Sequence, residues 1–386
     1  MSETIILIIC FLLLVSYLFE ITSSKTRVPS VVILLFLGWA TKQFITFFNI
    51  NIPELSPILP VLGTIGLILI VLEGALELEI NKDKLELIIK SFLGALLTIL
   101  VLVFLFAYLL SFFGDFSLKD RLINVIPFCL ISSAIAIPSV KNLSPNKREF
   151  VIYESSFSDI LGVLIFYFLA FNEIIYILSF GSFILKIIIM IIFSFIATFF
   201  LSFLLRKIDH HIKYIPIILL VILFYAISKI YYLPGLIFIL ILGLFLGNLE
   251  VLKEIKWFER FKLDELEHEV KKFKELTYEA TFLIRSLFFL LFGFLIETSK
   301  VLDFETISIA LVIIFLIFFF RALQLKLSKV PLIPLLFVAP RGLITILLFL
   351  YIQPSQRIPI VSESLITQVI VLSTLIMMFA LMQKKS

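Results

Sequence analysis

Tyr153-Glu154-Ser155-Ser156-Phe157-Ser158-Asp159 lies inside an otherwise apolar stretch that continues through Ile160-Leu161-Gly162-Val163-Leu164-Ile165-Phe166. The stretch is about 20 residues long, the length that carries a helix across a ~30 Å hydrocarbon layer. Yet it holds two carboxylates interleaved with three hydroxyls. A charge near a bilayer centre is costly, so an intramembrane carboxylate marks a candidate functional site.

The rest of the chain has the same character. With 61% hydrophobic and only 16% charged residues in 386, and a mean hydropathy of +1.18, a soluble fold could not enclose the apolar surface. Long apolar runs indicate an all-α polytopic membrane protein, since a β-barrel would alternate in short segments. The net charge of +4 is too small and scattered for nucleic acid. No P-loop, GxGxxG or Cys/His cluster points to nucleotide or redox chemistry. No convergent nucleophile and base suggest an enzyme, and no cofactor is expected beyond transported ions. Cys10 and Cys129 fall in apolar runs and are expected to be buried, inert thiols. The acidic start Met1-Ser2-Glu3, with no cleavage pattern after it, reads as a retained first helix.

About thirteen spans are predicted, at roughly 4–22, 29–47, 57–78, 86–112, 121–141, 149–171, 176–205, 213–231, 234–249, 277–297, 305–326, 333–352 and 360–382. Lys and Arg crowd the odd-numbered loops and the tail, roughly 22 against six in the even loops, which predicts a cytoplasmic C-terminus and an outer N-terminus. Residues 1–28 are then an extra helix, and 29–205 and 213–382 are two inverted six-helix repeats. Within the second half, 206–276 holds its start and an amphipathic cytoplasmic linker helix at 250–276, and 277–386 forms its core part. In the linker Phe258, Phe261, Leu266, Val270, Phe273 and Leu276 recur at near-helical intervals among charges. It reads as a structural strap on the membrane surface or as a pH-sensing lever. His210, His211 and His268 are either pH-sensing groups or solvated loop residues.

Each half contains one interrupted span. The first is Phe128-Cys129-Leu130-Ile131-Ser132-Ser133-Ala134-Ile135-Ala136-Ile137-Pro138 and the second Phe337-Val338-Ala339-Pro340-Arg341-Gly342-Leu343. Matching interruptions in inverted halves point to a midplane transport site with crossed broken helices. Span six puts Glu154 about one and a half turns in and Asp159 about three. Arg321 on span eleven lies at the depth of Glu154, which predicts a structural ion pair and leaves Asp159 unpaired. The alternative is an Asp159 permanently satisfied by Arg285 or Arg341. An unpaired carboxylate in a low-dielectric site is neutral only with a proton or a monovalent cation bound, so one passenger excludes the other and exchange would be 1:1 and electroneutral. Ser155, Ser158, Ser132 and Ser133 offer hard oxygen ligands, although any one of them can instead bond its own helix carbonyl.

The stretch Glu154-Ser155-Ser156-Phe157-Ser158-Asp159 resembles the Glu-Ser-x-Phe-Asn-Asp signature of monovalent cation:proton antiporters of the electroneutral sodium/proton type. Leu72-Glu73-Gly74-Ala75-Leu76 resembles that family's Phe-Glu-Gly-Gly-Leu stretch ending span three. Phe320-Arg321-Ala322-Leu323 is similar to its Ala-Arg-x-Leu, Pro340-Arg341-Gly342 to its Leu-Arg-Gly, and Phe288-Phe289-Leu290-Leu291-Phe292-Gly293 to an aromatic run ending in Gly. The matches run in order along essentially the whole chain.

This resemblance implies a thirteen-helix inverted-repeat fold, a homodimer in the plasma membrane, and an elevator-like movement of a six-helix core in cation transport and pH homeostasis. It implies Asp159 as the ion- and proton-binding carboxylate, and hence the metal-binding residue, with Ser155 as an ion ligand and Glu154–Arg321 as the stabilising pair. Arg285, Arg341 and Glu73 are accessory candidates, with Glu73 a possible partner of Arg285. Two positions depart from the pattern: Ser158 stands for Asn, and Ala134-Ile135-Ala136 for Thr-Asp-Pro. Na⁺ is the expected cation, with K⁺ and Li⁺ open. A K⁺/H⁺ antiporter or K⁺ efflux protein of the same fold is one alternative; a transport-inactive sensor or an uncoupled cation channel is another.

Overall fold

The computed structural model describes residues 10–19, 21, 30–48, 54–80, 84–172, 177–208, 210, 213–231, 233–253 and 263–383. Phe258, Phe261 and His211, and the basic residues Lys25, Arg27, Lys82, Lys384 and Lys385, lie outside them. Among the described residues every regular element is helical. Burial in hydrocarbon demands this, because only a helix satisfies all its backbone polar groups within one segment.

The helices in order are α1 (Cys10–Phe19), α2 (Ser30–Phe47), α3 (Ile58–Glu77), α4 (Leu85–Leu110), α5 (Leu118–Cys129), α6 (Ser133–Ser139), α7 (Pro145–Phe171), α8 (Ile177–Lys207), α9 (Tyr214–Ile230), α10 (Leu236–Gly247), α11 (Leu249–Lys253), α12 (Leu263–Leu295), α13 (Thr298–Val301), α14 (Phe304–Leu327), α15 (Leu343–Tyr351) and α16 (Glu363–Gln383). Nine helical segments of the described residues are long and apolar enough to cross a membrane, and α1, α9 and α10 are shorter apolar helices. The chain is a multi-pass membrane protein. The twelfth expected span is represented by a short 3₁₀ turn, an extended stretch and the nine-residue α15.

One boundary differs from the sequence reading. The amphipathic stretch does not end at 276: Leu263–Leu295 is one 33-residue helix, about 50 Å long. That exceeds the ~30 Å of hydrocarbon, so its charged first half is a continuation of the span. Cys129 is buried as expected, whereas Cys10 is exposed, because α1 turns much of its surface outward.

The helices pack in two groups. In one, α12 lies against α2, α3 and α8, and α10 against α3 and α8, with α9 beside them. In the other, α4 packs on α5, α7 and α14, α14 on α16, and α15 on α5. They meet chiefly where α3 faces α6, α7 and α15. Small residues permit the closest approach within the first group. A Cβ on Gly38 would lie 2.2 Å from the Leu290 carbonyl oxygen, and one on Gly293 would lie 2.3 Å from that of Leu35.

Candidate functional site

Two interrupted elements cross in front of α7. Between α5 and α6 the chain is extended at Leu130 and Ser132, and before α15 it is irregular through Pro340 and Arg341. The backbone groups freed by these breaks find partners across the crossing, as burial requires. Ser132 N–H donates to the Pro340 carbonyl at 2.9 Å, and Ile131 N–H donates to Ser158 Oγ at 2.9 Å. Gly342 is where the two strands touch: a Cβ there would sit 2.5 Å from Ile135 Cδ1 and 3.0 Å from Ser132 Oγ.

Asp159 lies about 21 Å along α7 from Pro145, near the middle of the helix, and is 1% exposed. Its Oδ2 accepts the backbone N–H of Ser133 at 3.3 Å and a short hydrogen bond from the Ser133 hydroxyl. Its Oδ1 is buried with no hydrogen-bond partner, and the Ser132 hydroxyl oxygen is in the same condition. Crossing strands and the middle of α7 thus bring Asp159, Ser132, Ser133 and Ser158 together. Ser158 spends its oxygen on the Ile131 N–H. Ser155 is directed elsewhere: its hydroxyl donates to the Val151 carbonyl at 2.7 Å, four residues back in its own helix.

Glu154 and Arg321 meet as the sequence predicts. Arg321 Nη1 donates to Glu154 Oε1 at 2.6 Å, with both side chains 1% exposed. Arg321 Nε also donates to the Leu335 carbonyl at 3.1 Å. The pair therefore ties α7 and α14 to the turn that precedes the second break. A buried pair without its partner leaves one uncompensated charge, so each residue depends on the other.

Arg341 turns Nε and Nη1 to backbone carbonyls rather than to Asp159. Its Nε donates to the Phe128 carbonyl at 2.7 Å and its Nη1 to the Ala339 carbonyl at 2.6 Å. The first of these is an orphan carbonyl in the last turn of α5, where a cation is favoured. Arg285 is buried on α12, and Glu73 is half-buried on α3, the helix packed against it.

Three features escaped the sequence reading. Gln324 accepts from Arg321 Nη1 at 3.5 Å and lies over Gly94, where a Cβ would come within 2.3 Å of its Nε2. Its position one turn after Arg321 on α14 was the available signal. Asn124 ties α5 to the turn that follows α15, donating to the Gln356 carbonyl at 2.7 Å and accepting from Ile358 N–H at 3.1 Å. Finally, a charged cavity of about 290 Å³ lies at the Pro145 end of α7, lined among others by Glu77, Glu79, Lys84, Arg148, Glu149 and Tyr153. It reaches the residue before Glu154. At the other end of α7, Tyr167, Tyr225 and Lys229 border a space of only about 10 Å³.

Among the described residues no group of three or more His, Cys, Asp or Glu side chains forms a metal site. What converges at the crossing is one carboxylate and neighbouring serine hydroxyls.

The sequence profile of the family described as sodium/hydrogen exchanger, transmembrane, matches residues 9–383. Among solved structures, the chain is similar to that of the sodium proton antiporter MjNhaP1 from Methanocaldococcus jannaschii at pH 8, with a TM-score of 0.70, 21% identity and coverage of 100% of both chains. The electron-microscopy map of the same antiporter gives a TM-score of 0.68 at 20% identity, covering 99% of this chain and 94% of that one. These identities speak to the fold. No curated protein sequence matches the chain.

Proposed function

The chain belongs to the sodium/hydrogen exchanger family, a family of transporters rather than enzymes, and from that premise we propose that it exchanges one Na⁺ for one H⁺ at Asp159 without moving net charge. The observation that carries this reading is the orphaned Oδ1 of a carboxylate buried near the middle of an apolar helix. A bare charge there is strongly disfavoured, so the group is neutralised by a proton or by a cation. The Ser132 hydroxyl, also orphaned, and the Ser133 hydroxyl supply further oxygens. Ser158 contributes by holding the break open, and Ser155 lies outside the set in this conformation.

Alternating access follows from the two helix groups. If the α4–α7–α14–α16 group slides along α3 only when Asp159 is neutral, movement is coupled to a bound ion. An elevator of this kind and a homodimer are what the motif resemblance implies. The basic residues support a plasma-membrane placement with the C-terminus and the charged cavity facing the cytoplasm. In this reading residues 1–28 are an extra helix, 29–205 the first inverted repeat and 206–386 the second.

The test is dye-reported exchange in proteoliposomes with Na⁺, K⁺ or Li⁺, with and without an imposed voltage. Wild-type exchange is expected with Na⁺ and to be indifferent to voltage. Asp159→Asn is expected to fold normally and to exchange nothing. Full activity in that variant, or flux that ignores an opposing pH gradient, overturns the reading.

A further inference from the structure

The seam between α4 and α14 carries two grooves of different chemistry. The one toward the Leu110 end of α4, about 220 Å³, is lined by Phe106, Leu109, Phe113, Val312 and other apolar residues, with Ser308 its one polar side chain. The one toward the Leu85 end is larger, about 420 Å³, and its apolar walls of Leu93, Leu97, Phe320 and Leu323 lead to a lip bearing Lys90, Lys329 and Glu86. Ordinary lipid chains suffice to cover the first groove. The second has features that they would leave unmatched.

Glu86 pairs with Lys90 at 2.6 Å, which leaves the lip with an excess of one positive charge. Lys326, exposed at the last residue but one of α14, lies close by along the chain. Gln324 lines the same groove, is 8% exposed, and has an Nε2 with no hydrogen-bond partner. The amide torsion of a Gln is soft, so a small rotation turns that donor from Gly94 into the groove. Gln324 lies within α14 and Lys329 two residues past its end, five residues apart along the chain, and both line the groove. That spacing suits a phosphodiester at the lip and a glycerol ester beneath it.

We propose that this groove binds one anionic phospholipid, with its phosphodiester between Lys90 and Lys329, an ester oxygen accepting from Gln324, and an acyl chain along Leu93, Leu97 and Phe320. In the orientation proposed above the lip faces the cytoplasmic leaflet, where anionic headgroups attract juxtamembrane lysines. The occupant then lies one side chain from the Glu154–Arg321 pair, through Gln324. A neutral lipid would leave the excess positive charge of the lip unmatched, and a free phosphate would leave the apolar walls uncovered.

Thermal unfolding of the detergent-solubilised full chain, titrated with phosphatidylglycerol or with phosphatidylcholine of the same acyl chains, tests this without reference to transport. Phosphatidylglycerol is expected to raise Tm saturably, by about 3 °C beyond phosphatidylcholine. Lys90→Gln with Lys329→Gln is expected to abolish that excess. Should the double variant fold poorly, Leu97→Trp keeps both amines and fills the groove from its exposed wall, and it is expected to lose the excess as well. An equal rise with phosphatidylcholine, an excess that survives both variants, or the same rise from glycerol phosphate alone would overturn the proposal.

Discussion

Ser158 Oγ accepts the backbone N–H of Ile131 at 2.9 Å, joining the turn of α7 that carries Asp159 to the extended link between α5 and α6. Ser158→Ala leaves a buried N–H without a partner, at a cost of about 1–3 kcal/mol. It is expected to lower Tm and to slow exchange roughly tenfold, since each 1.4 kcal/mol is a factor of ten. Ser158→Asn restores an acceptor and is expected to keep most of the activity. Unfolding curves and liposome exchange on both variants check this; an inert Ser158→Ala would show that the link is held by something else.

Gly342 admits no side chain. An Ala Cβ would meet Ile135 Cδ1 at 2.5 Å and Ser132 Oγ at 3.0 Å, so the two crossing strands must part. Overpacking of this kind costs typically ~1–3 kcal/mol, and here it also displaces the Ser132 that flanks Asp159. Gly342→Ala is expected to bind Na⁺ at least tenfold more weakly, read as a raised half-saturation concentration in exchange, with a smaller effect on Tm. Compensation by Ile135→Val is expected to recover part of the loss.

The Glu154–Arg321 pair is best tested as a cycle. Arg321→Met alone strands a buried carboxylate and is expected to cost about 3–5 kcal/mol. Adding Glu154→Gln removes that charge, so the double variant is expected to be more stable than Arg321→Met by itself. Tm values of the four proteins decide it. If the two single losses simply add, the pair at 2.6 Å is not coupled as its burial implies.

How much of this the sequence revealed depended on the kind of signal. Glu154, Arg321 and Asp159 stood out because an ionisable residue in an apolar run has few explanations, and depth along two antiparallel helices sufficed to pair the first two. The same logic could not separate the serines. A hydroxyl bonds equally well to its own helix or across a break, and only coordinates distinguish Ser155, bonded to Val151, from Ser158, bonded to Ile131. Arg341 was legible as an accessory candidate and a possible partner of Asp159, but not as the group that caps the last turn of α5, since its partners are backbone atoms with no sequence signature. The continuity of α12 past 276 was missed because a change from charged to apolar composition marks where a helix enters the membrane, not where it ends.

The mouth of the charged cavity offers a test of the sliding motion. Lys84 bonds Glu79, just beyond α3, at 2.6 Å and Glu149 of α7 at 2.9 Å, while Arg148 reaches Glu77 of α3 at 3.5 Å. These bridges join one helix group to the other on the cavity side. Burial by itself would lower the Lys84 amine, but the hydrogen bonds to Glu79 and Glu149 outweigh it and hold the amine well above its ordinary value. A raised lysine contributes its stability at every pH below about 10.4 and loses it only on passing the raised value. The Lys84 amine therefore stays charged at any working pH, and its own titration is no pH switch. Partly exposed ion pairs of this sort contribute roughly 0.2–1 kcal/mol each. If the groups must separate here for the site to open on the other face, Lys84→Met with Arg148→Met lowers that barrier. Maximal exchange is then expected to rise about two- to fivefold where this step limits turnover, with the pH profile unshifted and the half-saturating Na⁺ concentration little changed. A shifted pH profile would assign these residues to proton binding instead, and an unchanged rate in high and low salt alike would mean that the seam on this side does not part.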